Sequence, residues 1–296
     1  MQTRELGTSG IQITPIITGT WQAGKAMWVG VEDAETIKAI RAAFNAGITT
    51  VDTAEVYGQG HSEQIVAAAL GDVRDRAVYM TKVFSNHLKY DQVMAACEGS
   101  LKNLKTDYID LYQMKQQGKI RAIGVSNFSR AQLEEAMQFG RIDSIQPPYS
   151  LFWRPIEKDI MPYCVEQKVS ILAYSPLAQG LLTGKFQAGH QFDPTDNRAK
   201  NKLFQGENFV RAQDALTKLR PIAERHQTTL ANLAIAWLIA QPQTNAITGV
   251  RHADQATENA KAAEVQLTPE ELAEIDAIGH FVYDPMDDGN PVMWNW

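Results

Sequence analysis

Residues Asp107 to Asn127 read DYIDLYQMKQQGKIRAIGVSN. Two apolar, β-branched runs, Asp107 to Gln113 and Ile120 to Ser126, have the length and composition of buried strands. Only six residues, Met114 to Lys119, lie between them, and no Asn-Gly or Asp-Gly pair that would close a tight hairpin is among them. The relation of the two strands is open locally, because antiparallel and parallel neighbours make opposite demands on that link. The rest of the chain decides it.

Working outward, short β-branched runs alternate with amphipathic helical stretches, the pattern of βα units and a parallel sheet. Eight such runs occur: PIITGTW, ITTVDTA, AVYMTK, YIDLYQ, RAIGVSN, SIQPPYS, SILAYSP and NAITGV. Ahead of them, TRELGTSGIQIT reads as a two-stranded hairpin around Gly7 to Gly10, suited to plugging the bottom of a barrel. DAETIKAIRAAFNAG places Ile37, Ile40 and Phe44 on one helical face, with Asp33 as N-cap and Gly47 after the last turn. TLANLAIAWLIAQP puts Leu230, Leu233, Ala234 and Trp237 on one stripe and stops at Pro242. No linker, low-complexity tract or repeat beyond the βα unit interrupts the chain. The expected fold is α/β, a single-domain (β/α)8 TIM barrel over residues 1–296 with an N-terminal β-hairpin closing the bottom.

Composition agrees with an ordinary globule and narrows the partners. The apolar share is 44% and the charged share 21%, and the net charge of −6 comes without a long run of one sign. Nucleic-acid and anionic-membrane surfaces need clustered Lys and Arg, so small molecules are the expected partners. Cys97 and Cys164 have no metal-like spacing, which argues against a zinc site or disulfide framework and for a reducing compartment. The start MQTRELGTSG lacks the apolar core of a signal peptide, and no stretch is long enough to span a bilayer, so cytoplasm is expected.

Within a parallel barrel, the opening stretch becomes a problem of connection. Neighbouring parallel strands need a crossover of at least about 10–12 residues, usually carrying a helix, and a full helix with its loops needs on the order of 20. Six residues fall short, and MKQQGK resembles the last turn of a helix whose front half is absent. The reading is a discontinuity near the Gln113–Met114 junction, either residues that this sequence omits or a true deletion, with omission favoured because a deletion would open a seam in the barrel wall. The competing explanation is that the fifth strand pairs differently.

Chemistry in such barrels sits at the C-terminal ends of the strands. The first run ends in Gly19, Thr20 and Trp21; the second in Asp52, with Tyr57 five residues on; the third in Lys82. The fifth ends in Ser126 and Asn127, the sixth in Gln146, the seventh in Tyr174 and Ser175, and Arg251 follows the eighth. Asp and Lys are rarely buried unless paired, and an Asp52–Lys82 pair across adjacent strands would satisfy both while leaving Tyr57 in reach of the ammonium. A nearby ammonium favours the phenolate and is expected to lower the Tyr57 pKa from about 10, as suits a general acid. Taken singly, Tyr57 could be a loop aromatic. The joint occurrence on consecutive strands points to function.

The segments VDTAEVYGQGHSEQIVAAAL, MTKVF, TDYIDLYQ, GKIRAIGVSNFS, IQPPYSLFWR, YSPLAQGLLTGK and GVRHADQATENA, in this order, resemble the aldo-keto reductase superfamily over nearly the whole chain. The resemblance implies a (β/α)8 barrel that binds NADP(H) in extended form and reduces aldehydes or ketones to alcohols. It also implies a catalytic tetrad of Asp, Tyr, Lys and His, of which Asp52, Tyr57 and Lys82 match. The position of the His, two residues beyond the Tyr-Gln that ends the fourth run, holds Lys115. That departure falls at the junction where the crossover is too short, so Lys115 is not read as a substituted catalytic residue.

Residue by residue, the implied cofactor site is chemically coherent. Ser126, Asn127 and Gln146 suit the nicotinamide carboxamide, Tyr174 offers a stacking face, and Gly19, Thr20, Trp21 and Asp52 belong to the same mouth. The loop of Ser175, Pro176, Leu177, Gln179, Gly180, Leu181 and Lys185 follows the seventh run, where barrels commonly hold phosphate. Beyond Gly249, Arg251 can pair bidentately with a 2′-phosphate, with Gln255 assisting and Glu258 and Asn259 towards the adenine, which favours NADP over NAD. Trp21 and Tyr57 are the expected substrate contacts; Trp28, Trp153 and the tail NPVMWNW are further aromatic wall candidates, and His61, His87 and His252 have no metal-ligand spacing.

The expected activity is NADPH-dependent carbonyl reduction of a small aldehyde or ketone by a monomer or weak homo-oligomer. A non-catalytic NADP(H)-sensing barrel is the alternative if the segment after the fourth run is truly deleted. A phosphate-binding lyase or isomerase would need a second acid–base pair that the sequence does not offer.

Overall fold

The computed structural model describes residues 1–25, 30–113, 119–187, 189–193 and 196–287. Eight parallel strands close a barrel: β3 (Ile16–Gly19), β4 (Thr50–Asp52), β5 (Val78–Lys82), β6 (Ile109–Gln113), β7 (Ile120–Ser126), β8 (Ser144–Gln146), β9 (Ser170–Ala173) and β10 (Thr244–Gly249). They correspond to the eight runs in order, with β10 pairing β3 to complete the ring. A short antiparallel pair, β1 (Arg4–Glu5) and β2 (Gln12–Ile13), precedes them.

The barrel interior is small and apolar, and the hairpin closes it. Leu6, Ile11 and Ile13 from the hairpin pack with Ile17, Met80, Leu111, Ala122, Leu172 and Ile247 from the strands. Gly7 is required here, since it has φ 57° and a Cβ would stand 2.5 Å from the Asp143 carbonyl oxygen. Its N–H donates to Ser170 Oγ at 2.9 Å, fixing the plug to the entry of β9.

Helices cover the outer face. α1 (Asp33–Asn45) buries Ala39, Ile40 and Ala43, but Glu32 rather than Asp33 is its N-cap residue. The Asp33 carboxylate is instead engaged by Lys25 and His61, both at 2.9 Å. The helix Leu230–Ala240 starts at Thr229, whose hydroxyl accepts from the Asn232 N–H. It is buried nearly all round rather than along one stripe, because it lies in the middle of the main core cluster.

The opening question has a structural answer. β6 and β7 are parallel neighbours, with Ile109 opposite Ile120 and Leu111 opposite Ala122. The Ile109 N–H also donates to the Lys119 carbonyl at 3.0 Å. The alternative pairing of the fifth barrel strand is not adopted, and a parallel crossover is demanded of six residues. Met114 to Gly118, with Lys115 among them, lie outside the described residues, as do Trp28 and the NPVMWNW tail.

Candidate active site

Strand register places Asp52 and Lys82 at the C-terminal ends of adjacent strands, and both side chains turn into the mouth. Lys82 Nζ donates to Asp52 Oδ2 at 2.7 Å and to the Thr53 carbonyl at 2.7 Å. The other Asp52 oxygen accepts from Gln146 Nε2 at 3.0 Å. Lys82 Nζ lies 5.1 Å from the Tyr57 ring centroid. The side chains of Asp52 and Lys82 are only 5% and 11% exposed, so the pair is held out of water and each charge depends on the other.

Tyr57 is placed by a backbone contact. Gly58 has φ 64°, and a Cβ there would lie 2.4 Å from the Gly24 carbonyl oxygen. At Gly24, a Cβ would lie 2.5 Å from the Tyr57 carbonyl carbon. Two glycines therefore let the Tyr57 loop sit directly on the turn that begins at Trp21. Ser62, at the start of α2 (His61–Leu70), braces the base of this loop through Thr20 Oγ1 at 2.8 Å and Thr53 Oγ1 at 2.9 Å. Thr20 is buried and its hydroxyl also donates to the Asp52 carbonyl at 2.9 Å, a structural role.

The electrostatics depart from the sequence expectation in one respect. Burial pushes the Tyr57 phenol above its ordinary value; Lys82 pulls it down and Asp52 raises it again, and the balance is upward. The expected lowering therefore does not occur, because the cost of burying a phenolate exceeds the attraction of the ammonium. Lys82 is depressed by burial but raised more by Asp52 and Tyr57, so it is held charged.

Around the same mouth, Ser126 Oγ donates to the Gln146 carbonyl at 3.0 Å, and Tyr174 Oη to Asn127 Oδ1 at 3.1 Å. The Gln146 side chain spends one N–H on Asp52, which leaves its amide oxygen Oε1, distinct from the backbone carbonyl that Ser126 engages, as the natural acceptor for a ligand amide. After β9, Ser175, Ala178, Gln179 and Gly180 have φ of 55°, 47°, 57° and 89°. The Ala178 and Gly180 N–H groups close these turns by donating to the Ser175 and Leu177 carbonyls, each at 2.9 Å. Pro176 and Leu181 are buried, so their side chains anchor the loop. Gly249 lies against Gln22, and a Cβ at Gly249 would stand 2.2 Å from Gln22 Nε2.

Arg251 precedes α8 (Ala253–Lys261), and its N–H donates to Gln255 Oε1 at 2.9 Å. Glu258 accepts from Asn232 at 2.9 Å and Lys261 at 2.8 Å, and Asn259 is buried. Lys185 and Arg251 are both lowered, first by burial and then by neighbouring cations, including Arg198 in each case. The sequence reading passed over Arg198 because nothing adjacent marks it. The structure brings it to the same cations.

Other expected residues fall elsewhere. Trp153 is 2% exposed and packs edge-on against Tyr283, so it is core rather than pocket wall. Trp21 stays half-buried at the mouth. His87 pairs with Glu55 at 3.0 Å and His61 with Asp33, and among the described residues no cluster of metal-ligating groups forms. Cys97 and Cys164 are both buried and free. No described helix is long and apolar enough to cross a membrane.

An eight-stranded parallel barrel with a buried Asp–Lys pair beside a tyrosine at its C-terminal mouth defines a class: a (β/α)8 barrel with its ionisable groups gathered where such folds carry chemistry. The chain matches the Aldo/keto reductase family over residues 15–280 and belongs to it. It is 35% identical to the aldo-keto reductase YhdN of Bacillus subtilis, over 94% of this chain and 93% of that one. It is 32% identical to an NADH-specific methylglyoxal reductase of Escherichia coli, over 89% and 94%. Among solved structures, an aldo/keto reductase from Klebsiella pneumoniae in complex with NADP and acetate superposes with a TM-score of 0.75 at 28% identity, covering 95% and 96%. The matches to the first two run over 309 and 307 residues, although only 94% and 89% of these 296 residues take part. Each of those relatives therefore carries at least about 30 residues with no counterpart here.

Proposed function

We propose that the chain reduces aldehydes or ketones to alcohols with NADPH, Tyr57 donating the proton. The observation that carries this is Lys82, which bridges Asp52 and the Tyr57 ring at the C-terminal mouth of the barrel. When bound, a nicotinamide supplies the hydride that reaches the carbonyl carbon. Ser126, Asn127 and Gln146 would hold the carboxamide, Tyr174 would stack on the ring, and Trp21 would flank the substrate. As charge develops on the carbonyl oxygen, the Tyr57 hydroxyl gives up its proton, and Lys82 stabilises the phenolate that remains. Oxidation of the alcohol uses the same groups in reverse.

A phosphorylated dinucleotide fits the residues present. Burial, and then the nearby Arg198 and Arg251, lower the Lys185 pKa, and an anion beside these groups would relieve the repulsion. The NADP in the Klebsiella protein supports this preference, while the name of the Escherichia coli relative makes it the part to test. The buried free thiols support a reducing, cytoplasmic setting. In the test, Tyr57→Phe keeps the ring and its packing but removes the acid. NADPH binding by fluorescence should persist, while oxidation of NADPH with an activated benzaldehyde falls by about 10²–10⁴. Near-parental turnover would refute the mechanism.

The fourth tetrad position completes the reading. We infer that the chain continues between Gln113 and Met114 through a segment that this sequence lacks. The parallel β6–β7 pair supports this, as does the six-residue link. The tetrad His would come with that segment. Intact mass decides it: a mass of 32.9 kDa would leave a true deletion, and with it the cofactor-binding, non-catalytic barrel.

A further inference from the structure

We propose that Glu55 is a positioning residue for the proton-donating pair, its carboxylate clamping the chain that leaves Lys82 onto the loop that carries Tyr57. This rests on the reading of Tyr57 as the acid and Lys82 as its cation. Glu55 stands between the two in the site, since it follows Asp52 on the same loop and precedes Tyr57 by two residues.

The backbones after β4 and β5 stay side by side beyond their last paired residues, Asp52 and Met80. The Thr53 N–H donates to the Met80 carbonyl at 2.9 Å, and the Glu55 N–H to the Lys82 carbonyl at 3.3 Å. In a continued parallel ladder the next donor, the Phe84 N–H, would meet the Glu55 backbone carbonyl. It meets Glu55 Oε1 instead, at 2.7 Å. The same oxygen accepts from His87 Nδ1 at 3.0 Å, while the His87 N–H donates to the Phe84 carbonyl at 2.9 Å. One carboxylate therefore holds both ends of the Phe84–His87 turn.

Packing does little of this holding. Every side chain from Phe84 to Tyr90 is exposed, whereas that of Glu55 is 17% exposed. A segment without buried side chains is free to open locally, so the fixed point just beyond Lys82 is the carboxylate. Lys82 Nζ has to remain 2.7 Å from both Asp52 Oδ2 and the Thr53 carbonyl and 5.1 Å from the Tyr57 ring centroid. Asp52 and Thr53 fix the ammonium, and Glu55 fixes the backbone from which it extends. Displacements of about 1 Å in such a site can cost about 10²-fold in rate.

Single-turnover kinetics separate positioning from mere bracing of the fold. The full chain, Glu55→Ala, Glu55→Gln and His87→Phe are loaded with NADPH and mixed with the activated benzaldehyde in a stopped-flow instrument. Oxidation is read per bound NADPH, so a misfolded fraction, which binds none, does not enter the rate. Glu55→Ala should slow the step by about 10- to 100-fold with NADPH affinity unchanged. Glu55→Gln keeps an oxygen for the Phe84 N–H but loses the charge, so its rate should fall between Glu55→Ala and the parent. His87→Phe leaves the Phe84 contact in place and should cost less than Glu55→Ala. A parental rate in either Glu55 variant overturns the proposal, because the carboxylate then only braces the loop. His87→Phe as slow as Glu55→Ala overturns it too, because the carboxylate would then act through the imidazole rather than the backbone. A parental rate in Tyr57→Phe would strike the reading of the site and the proposal with it, whereas the Glu55 variants strike the proposal alone.

Discussion

Lys82→Met is the substitution in which the site's energetics can be read most directly. Methionine keeps the length and packing of the lysine stem, so the change falls on the ammonium. Removing it takes the 2.7 Å contacts from Asp52 Oδ2 and the Thr53 carbonyl, and leaves the Asp52 carboxylate with Gln146 Nε2 at 3.0 Å. An exposed pair would cost about 0–1 kcal/mol to break, but a buried charge left without its partner costs about 3–5 kcal/mol. With Asp52 3% exposed, the larger figure applies, and urea unfolding should show it as a lower midpoint at unchanged slope. Adding Asp52→Asn removes the stranded charge and should recover most of the loss. A deficit under about 1 kcal/mol, or a double variant no more stable than the single one, would refute the account of a buried, mutually dependent pair.

Arg251→Ala should weaken NADPH at least about ten-fold more than NADH, because only NADPH carries a 2′-phosphate; equal losses in paired fluorescence titrations would reassign Arg251 to a shared group. The raised Tyr57 pKa predicts that kcat/KM for carbonyl reduction stays flat through neutral pH and falls only above about pH 10, where the acid is lost. A falling limb near pH 8 would contradict it. Gly58→Ala should lower kcat by about 10²-fold while dinucleotide affinity changes little, since its Cβ would press 2.4 Å from the Gly24 carbonyl and displace Tyr57. Steady-state kinetics beside a fluorescence titration would show the split, and parental kcat would mean that the two backbones can part freely.

Much of the fold was legible because barrel strands buried on both faces leave continuous β-branched runs, and each of the eight became a strand in its expected place. Asp52 and Lys82 were legible for a related reason: a charge at the end of a buried strand needs a partner, and the adjacent strand offers one. What sequence could not carry was the weight of burial. It determined that Trp153 joins the core, while Asp33 leaves the cap of α1 for Lys25 and His61, which other segments bring to it. Arg198 was invisible for another reason. It lies in the same connection as Lys185, and its place is set by Asp196 and by the rings of Phe186 and Phe192, which no strand or helix pattern announces.

Under the proposed mechanism, the raised Tyr57 pKa changes what Lys82 would do. A phenol pulled well below its ordinary value would be partly ionised in the resting enzyme and a poorer reservoir of protons. Burial keeps it protonated, and the same burial strengthens the pull of Lys82 on a charge that is not yet there. The ammonium therefore contributes little to the resting hydroxyl and most to the phenolate that forms as the proton leaves. An interaction that grows along the reaction in this way accelerates chemistry, whereas one that is equally strong at rest only improves binding. Asp52 then acts on rate through Lys82: it holds the ammonium charged and fixed while the charge moves, so its loss should depress kcat far more than it raises KM.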